Sequence, residues 1–430
     1  MQISIFSEID SLKSVLLHRP GNEQSFVNPE NLIEWISHDN QLIHNPNYLL
    51  FDDLIHPSKA MEEHDLLSQV LQNFIGKENC LEFTTLLSDI LQDTAIRKLI
   101  LIECLELECL INHNKLSPVK LAELESMDIP KVLQVLLTGE NPQEPEKKYF
   151  QHPIPNLIFT RDIAAVIGQT ILLTWGCRMV RKRENILAKF IFTYHKFFKD
   201  IKTYDFHANY PDLSIEGGDI IILDDKTICI GMSERTSSAS VNALLPLFFE
   251  EGFKRVYAID LPKRRSVMHL DTIFNRISKN EVVVFPPMFI QTESTNDLLT
   301  VYCISPGEIL EEGKKSTQKL LEVLDNDGIH LQPIKCGGNN KHHQKREQWM
   351  DGANYFVISP GIILGYERNQ YTTDALKNAG YICVRAVEFL RNTELYENQS
   401  KLMISIPSGE LSRGRGGARC LTLPLMRVSN

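Results

Sequence analysis

The feature that most constrains the fold is a recurring pair of short apolar runs joined by a tight turn. It occurs at residues 163–173 around Gly168-Gln169, at 220–230 around Asp224-Asp225-Lys226, and at 355–364 around Pro360-Gly361. Runs of this length, rich in β-branched and aromatic residues and interrupted by turn formers, read as β-hairpins. After the second comes Gly231-Met232-Ser233-Glu234-Arg235-Thr236, and after the third Gly365-Tyr366-Glu367-Arg368-Asn369. Each then enters a helical stretch, 240–251 or 373–379, that stops near Gly252 or Gly380 before a further strand. The repeating unit is strand, strand, helix, strand.

The first two hairpins lie about 57 residues apart and the second and third about 133, an interval with room for one more module. Strand-like runs at 282–285 and 298–304 can supply it, and an N-terminal module beginning at Leu12-Lys13-Ser14-Val15-Leu16-Leu17 makes five. Because each module buries its strands against its neighbours, five of them form one large α/β domain closed as a ring. Residues 84–147 break the pattern. Leucine-rich stretches at 84–91, 96–110 and 129–137 follow a helical period, and Ser117-Pro118 opens a short helix. The polar segment Asn141-Pro142-Gln143-Glu144-Pro145 returns the chain to the ring. The expected division is therefore an α/β domain of residues 1–83 and 148–430 with a helical insertion at 84–147.

Composition narrows the function classes. A chain of 430 residues, 43% apolar, can bury a large core. It has neither a basic N-terminal region followed by an apolar run nor an uncharged stretch approaching the ~18 residues of a membrane span. Its net charge of -10 argues against nucleic-acid binding through a broad basic surface. Nine cysteines without C-x-x-C pairs, some inside apolar runs as at Cys229 and Cys383, point away from disulfides and structural zinc. The expectation is a cytoplasmic protein acting on a small molecule, with no membrane or nucleic-acid partner.

Four segments carry chemistry. Asn156-Leu157-Ile158-Phe159-Thr160-Arg161-Asp162 is a loop entering a strand, where Asp162 also suits an ordinary turn. Glu216-Gly217-Gly218-Asp219 sets two acids around a glycine pair that permits close backbone approach, or simply a bulge. In Met268-His269-Leu270-Asp271-Thr272, residues two apart in an extended chain put His269 and Asp271 on one face. The tail Arg413-Gly414-Arg415-Gly416-Gly417-Ala418-Arg419-Cys420 places a cysteine before an apolar run, a position equally suited to a buried small residue. Cys336 with His342-His343 lacks two further ligands at metal-site spacing.

In this order the four segments resemble the signatures of the arginine deiminase family: Phe-Thr-Arg-Asp, Glu-Gly-Gly-Asp, His-Leu-Asp-Thr and an Arg-Gly-rich segment ending in cysteine. The resemblance extends to Val15-Leu16-Leu17-His18-Arg19-Pro20-Gly21, Leu50-Phe51-Asp52-Asp53 and Glu347-Gln348-Trp349-Met350-Asp351-Gly352, and so spans almost the whole chain. It implies a five-bladed α/β propeller with a helical insertion, hydrolysis of L-arginine to citrulline and ammonia, and no metal or organic cofactor. It makes Cys420 the nucleophile, His269 the general acid and base, and Asp162 and Asp271 the guanidinium-holding carboxylates. Glu216 is implied as a third acid near the reacting carbon. Asn156, Arg181, Arg235 and Arg415 are implied to hold the carboxylate end of the substrate, with Phe159 packing on it.

A related amidinotransferase or dihydrolase would use the same cysteine and histidine. The Arg413–Gly417 stretch also resembles an RGG-type RNA-binding segment, though it has no aromatic neighbour or basic tract. Two departures from the family pattern stand out: Asn339 where an acid is common, and a long stretch at 37–47 before Leu49-Leu50-Phe51. Oligomeric state stays open, a homo-oligomer included.

Overall fold

The computed structural model describes residues 2–141, 143–290, 299–316 and 319–429. The three hairpins form where the turn residues place them. Ala164–Ile167 pairs antiparallel with Thr170–Leu173, Ile220–Asp224 with Thr227–Met232, and Phe356–Ser359 with Ile362–Tyr366. Among the described residues five sheets have three or more strands, and all five share one arrangement: a central strand antiparallel to one neighbour and parallel to the other. In the N-terminal sheet the central strand, Ser11–Leu17, takes its antiparallel partner from the far end of the chain, Leu423–Val428, and its parallel partner from Cys80–Glu82.

The fourth module differs from the sequence-based expectation. Glu281–Val284 pairs with the upstream strand Phe274–Arg276 and with Gln332–Lys335. The later run, Thr300–Ile304, instead lies antiparallel to Arg255–Asp260 and extends the second sheet. Polar Asn275 and Arg276 hide the upstream strand from a search for apolar runs, whereas 300–304 is apolar enough to attract it. Leu298 lies outside the described residues.

The leucine-rich stretches between 84 and 138 form the helices Phe83–Leu91, Thr94–Asn112, Pro118–Ser126 and Ile129–Thr138. The side chains of Asp93, Ser117 and Asp128 accept from backbone N–H groups of the first turns, each cap contributing about 1 kcal/mol. A short antiparallel pair, Glu140–Asn141 with Glu144–Lys148, follows; Pro142 is outside the described residues. Leu87, Leu101, Cys104 and Val135 join Ile186, Leu187 and Ile191 of the helix Lys182–Tyr194 in one apolar cluster. A 19-residue helix, Pro57–Ile75, was not anticipated; it buries Ala60, His64, Leu67 and Leu71 at helical spacing. Among the described residues no helix is long and apolar enough to cross a membrane.

One regularity positions the chemistry. Each of the five sheets is entered through a short turn leading into its outer antiparallel strand: Thr160–Asp162 before Ala164, Gly217–Asp219 before Ile220, Leu270–Thr272 before Phe274, Asn354 before Phe356, and Cys420 before Leu423. Each of the four chemistry-bearing segments reaches one of these entry turns. The five turns converge.

Candidate active site

Glycines allow the closest of these approaches. A Cβ on Gly217 would lie 2.1 Å from the Arg161 carbonyl oxygen, and one on Gly218 would lie 2.5 Å from Nδ1 of His269. The pair therefore lets the second entry turn press against the first and against the imidazole of the third. Asp219 ties the same turns together, accepting from Ser233 Oγ at 2.6 Å, Thr236 Oγ1 at 2.7 Å and the Leu270 N–H at 3.0 Å.

His269 Nε2 lies 2.8 Å from Glu216 Oε2, and His269 Nδ1 lies 3.9 Å from Asp162 Oδ1. Burial opposes charge on the imidazole, but the carboxylates of Asp162, Glu216 and Asp219 outweigh it and hold its pKa up at about 10. Burial likewise works against the Glu216 carboxylate, yet Arg235 and His269 hold it well below the usual range. Its second oxygen accepts from the Cys177 N–H at 3.2 Å and faces Arg235 Nη1 at 3.5 Å. The resting pair is an imidazolium and a carboxylate.

Cys420 is 5% exposed, and its Sγ lies 3.7 Å from Asp271 Oδ2. Burial pushes the thiol up, and the nearby carboxylates of Asp271, Asp162 and Asp351 add to it. Both effects favour the protonated thiol over the thiolate. The amide oxygen of Asn354 accepts from both Arg419 N–H and Cys420 N–H, at 3.1 and 3.2 Å, and fixes the turn that carries the sulfur.

Nine of the ten residues singled out from sequence line one pocket: Asn156, Phe159, Asp162, Arg181, Glu216, Arg235, His269, Arg415 and Cys420. The tenth, Asp271, lies directly behind Cys420. Arg181, just before the helix Lys182–Tyr194, donates to Asp162 Oδ2 at 2.7 Å and to Glu184 Oε2 at 2.9 Å. The Asn156 amide donates to the Leu49 carbonyl at 2.8 Å. Phe159 packs on the backbone of the tail: a Cβ on Gly416 would meet its ring at 2.3 Å. Gly414 and Gly416 thus serve a close approach to Phe159.

Arg415 adopts a left-handed backbone (φ 65), and its guanidinium stacks 3.5 Å above the Trp349 ring with Nε 3.4 Å from Asp52 Oδ2. Arg413 pairs with Asp53. The Arg-Gly segment is therefore built into the wall of the pocket. Residues that sequence reasoning passed over are Glu184, Arg265, Asn354 and Arg419; only Arg419 carried a signal, its adjacency to Cys420. Among the described residues the group able to hold a metal ion is Asp162, Glu216 and His269, with ligand atoms within 4.8 Å of one another. Arg181 and Arg235 already supply positive charge to those two carboxylates. Cys336 and His342-His343 do not gather such a set.

Comparison with known proteins places the chain in a family. A family model described as arginine deiminase matches residues 47–427. Arginine deiminase of Mycoplasma capricolum is 32% identical over 438 residues, covering 99% of this chain and 97% of that protein. That of Borreliella afzelii is 31% identical over 443 residues, covering 99% and 98%. Among solved structures, an amidinotransferase of Microseira wollei superposes with a TM-score of 0.51 at 12% identity, covering 100% of this chain and 98% of that one. The N-terminal domain of a cyanobacterial arginine dihydrolase gives 0.50 at 14% identity, covering 97% and 98%. These two share the mixed α/β fold, while the sequence relatives and the matched model carry the assignment: the chain belongs to the arginine deiminase family.

Proposed function

We propose that this protein hydrolyses L-arginine to L-citrulline and ammonia through a covalent amidino-thioether on Cys420. The observation that carries the reading is a buried thiol beside Asp271, in a pocket that also holds the His269–Glu216 ion pair and Asp162. A guanidinium presents paired N–H donors along its edges, which carboxylates accept by charge-assisted bonds. Asp162 and Asp271 hold the substrate's guanidinium with its central carbon before the sulfur, and the arriving cation favours the thiolate.

The Cys420 thiolate adds to that carbon, and the His269 imidazolium protonates the departing nitrogen, which leaves as ammonia. The imidazole, now neutral, takes a proton from water as its oxygen adds to the thiouronium carbon; collapse expels the thiolate, and the hydroxyl proton passes to the ammonia or to solvent to leave citrulline. Glu216 stabilises the positive charge on His269 in both halves. Arg181, Arg235, Asn156 and Arg415 hold the α-carboxylate end, and Phe159 packs on the aliphatic stem. These steps are carried by side chains of the protein and water alone.

The five sheets, each delivering its entry turn to one pocket, are read as blades of an α/β propeller formed by residues 1–83 and 148–430, with 84–147 a helical insertion. Nine cysteines without a disulfide suit a reducing cytoplasm. Incubation with L-arginine tests the activity. Citrulline and ammonia in equal amounts support it; ornithine made only with an added acceptor amine indicates amidino transfer, and ornithine with two ammonia indicates a dihydrolase. Cys420→Ser should abolish citrulline formation, and undiminished turnover would overturn the reading.

A further inference from the structure

Behind the nucleophile, Asp271 is tied to two charged residues, Arg419 and Glu8, that the mechanism above does not use. Asp271 is fully buried, and its two oxygens are unlike. Oδ2 receives Arg419 Nη1 at 2.7 Å and lies 3.7 Å from Cys420 Sγ, whereas Oδ1 has no hydrogen-bond partner. An enclosed carboxylate oxygen without a donor is costly, and Oδ1 is the Asp271 oxygen left free to accept one. What selects the oxygen that stays free is Arg419, which is 1% exposed.

Arg419 cannot turn. Its Nε and Nη2 fork onto Glu8 at 3.0 and 2.6 Å, Nη2 also reaches the Ile220 carbonyl at 2.8 Å, and its own N–H is held by Asn354. Glu8 is itself anchored: its N–H donates to the Ile222 carbonyl at 3.0 Å, and Ser7 Oγ donates to the Leu223 carbonyl at 3.0 Å. A planar guanidinium gripped along one edge presents its remaining nitrogen in one direction only. That direction is Asp271.

We propose that Glu8 and Arg419 are a positioning pair that locks the Asp271 carboxylate, turning Oδ1 to the substrate guanidinium while Oδ2 stays between Arg419 and the Cys420 thiol. The inference rests on the functional reading above and deepens it, because it names the residues that set how the guanidinium is seated. Arg419 also supplies Asp271 with a permanent counter-charge, which keeps the carboxylate from opposing the thiolate at full strength. Glu8 balances Arg419 in turn, so that Glu8, Arg419 and Asp271 together keep one negative charge for a cationic substrate.

Removing Glu8 alone leaves Arg419 a buried charge without its forked partner. The decisive variant therefore combines Glu8→Gln with Arg419→Met, which removes one charge of each sign at similar volume. In variant that unfolds cooperatively, KM for arginine should rise about tenfold and kcat fall about a hundredfold, as misplacement of a reacting group by an ångström does. Alkylation of Cys420 by iodoacetamide, without arginine and at fixed pH, should slow several-fold because Asp271 has lost its cation. A folded variant with unchanged KM and unchanged alkylation overturns the proposal, whatever its thermal stability. Should the double variant not fold, Glu8→Asp decides: the shorter acid keeps the charge but loses the fork, and a KM equal to wild type overturns the pair. Wild-type protein that makes no citrulline would sink the functional reading instead, and the alkylation rates would still decide the role of the pair.

Discussion

Arg181 donates from Nη1 to Asp162 Oδ2 at 2.7 Å, so a guanidinium of the chain itself holds the carboxylate assigned to the substrate guanidinium. The contact is buried, and Glu184 Oε2 braces the same side chain at 2.9 Å. On the reading proposed above, an entering arginine would offer Asp162 a like partner, and its α-carboxylate would offer Arg181 one in return.

Arg181→Met should therefore act on recognition and on folding together. Losing a charge-assisted bond to the α-carboxylate is worth about 1.5–3 kcal/mol, so KM for arginine should rise by roughly one to two powers of ten. Agmatine, which has no carboxylate, should be turned over no worse than by the wild type, and an equal loss on both compounds would sink the assignment. Stability should fall by about 3 kcal/mol, since Asp162 and Glu184 are left buried without their cation; calorimetric unfolding reads this directly.

Gly218→Ala tests how closely the imidazole is packed. Its Cβ would meet His269 Nδ1 at 2.5 Å, so the ring must move away from Glu216 and Asp162. Expected is a fall in kcat of about a hundredfold. Gly252→Ala is the control. Gly252 has φ +98 and nothing within 4 Å of an added Cβ, so that variant should lose about 1–2 kcal/mol of stability from backbone strain alone, with kcat unchanged. Equal kcat values for the two variants would refute the packing argument.

Much of this arrangement was legible because it is local. The turn pairs Gly168-Gln169 and Pro360-Gly361 announce their hairpins through alternation and turn chemistry. Gly217-Gly218 announces a close approach through the absence of side chains. What was not legible is whatever depends on pairing between distant segments. Nothing in Thr300–Ile304 says that its partner is Arg255–Asp260, and nothing in Ser11–Leu17 says that it pairs with Leu423–Val428. Glu8 and Arg419 are 411 positions apart, and each alone is an ordinary charged residue. The same holds for the partners of the expected substrate ligands: Asn156 on Leu49 and Arg415 on Trp349 are set by packing between elements that carry no shared sequence signal.

The charge state of His269 leads to a pH signature. With its pKa up at about 10 in the folded chain against about 6.5 when unfolded, the imidazolium adds stability that is fully present below about pH 6.5. That contribution is lost as pH rises through about 10. The sign follows from proton binding: in this window the folded state binds more protons than the unfolded one, so stability falls with rising pH. Removing the imidazole by His269→Asn should lower the unfolding midpoint most near pH 6, with the gap to wild type closing as pH approaches 10. A gap that stays constant across the range would mean that the imidazole rests neutral. In the proposed mechanism the same charge state serves the chemistry: at neutral pH the acid assigned to protonate the leaving nitrogen is already loaded, while burial and Asp271 favour the protonated thiol.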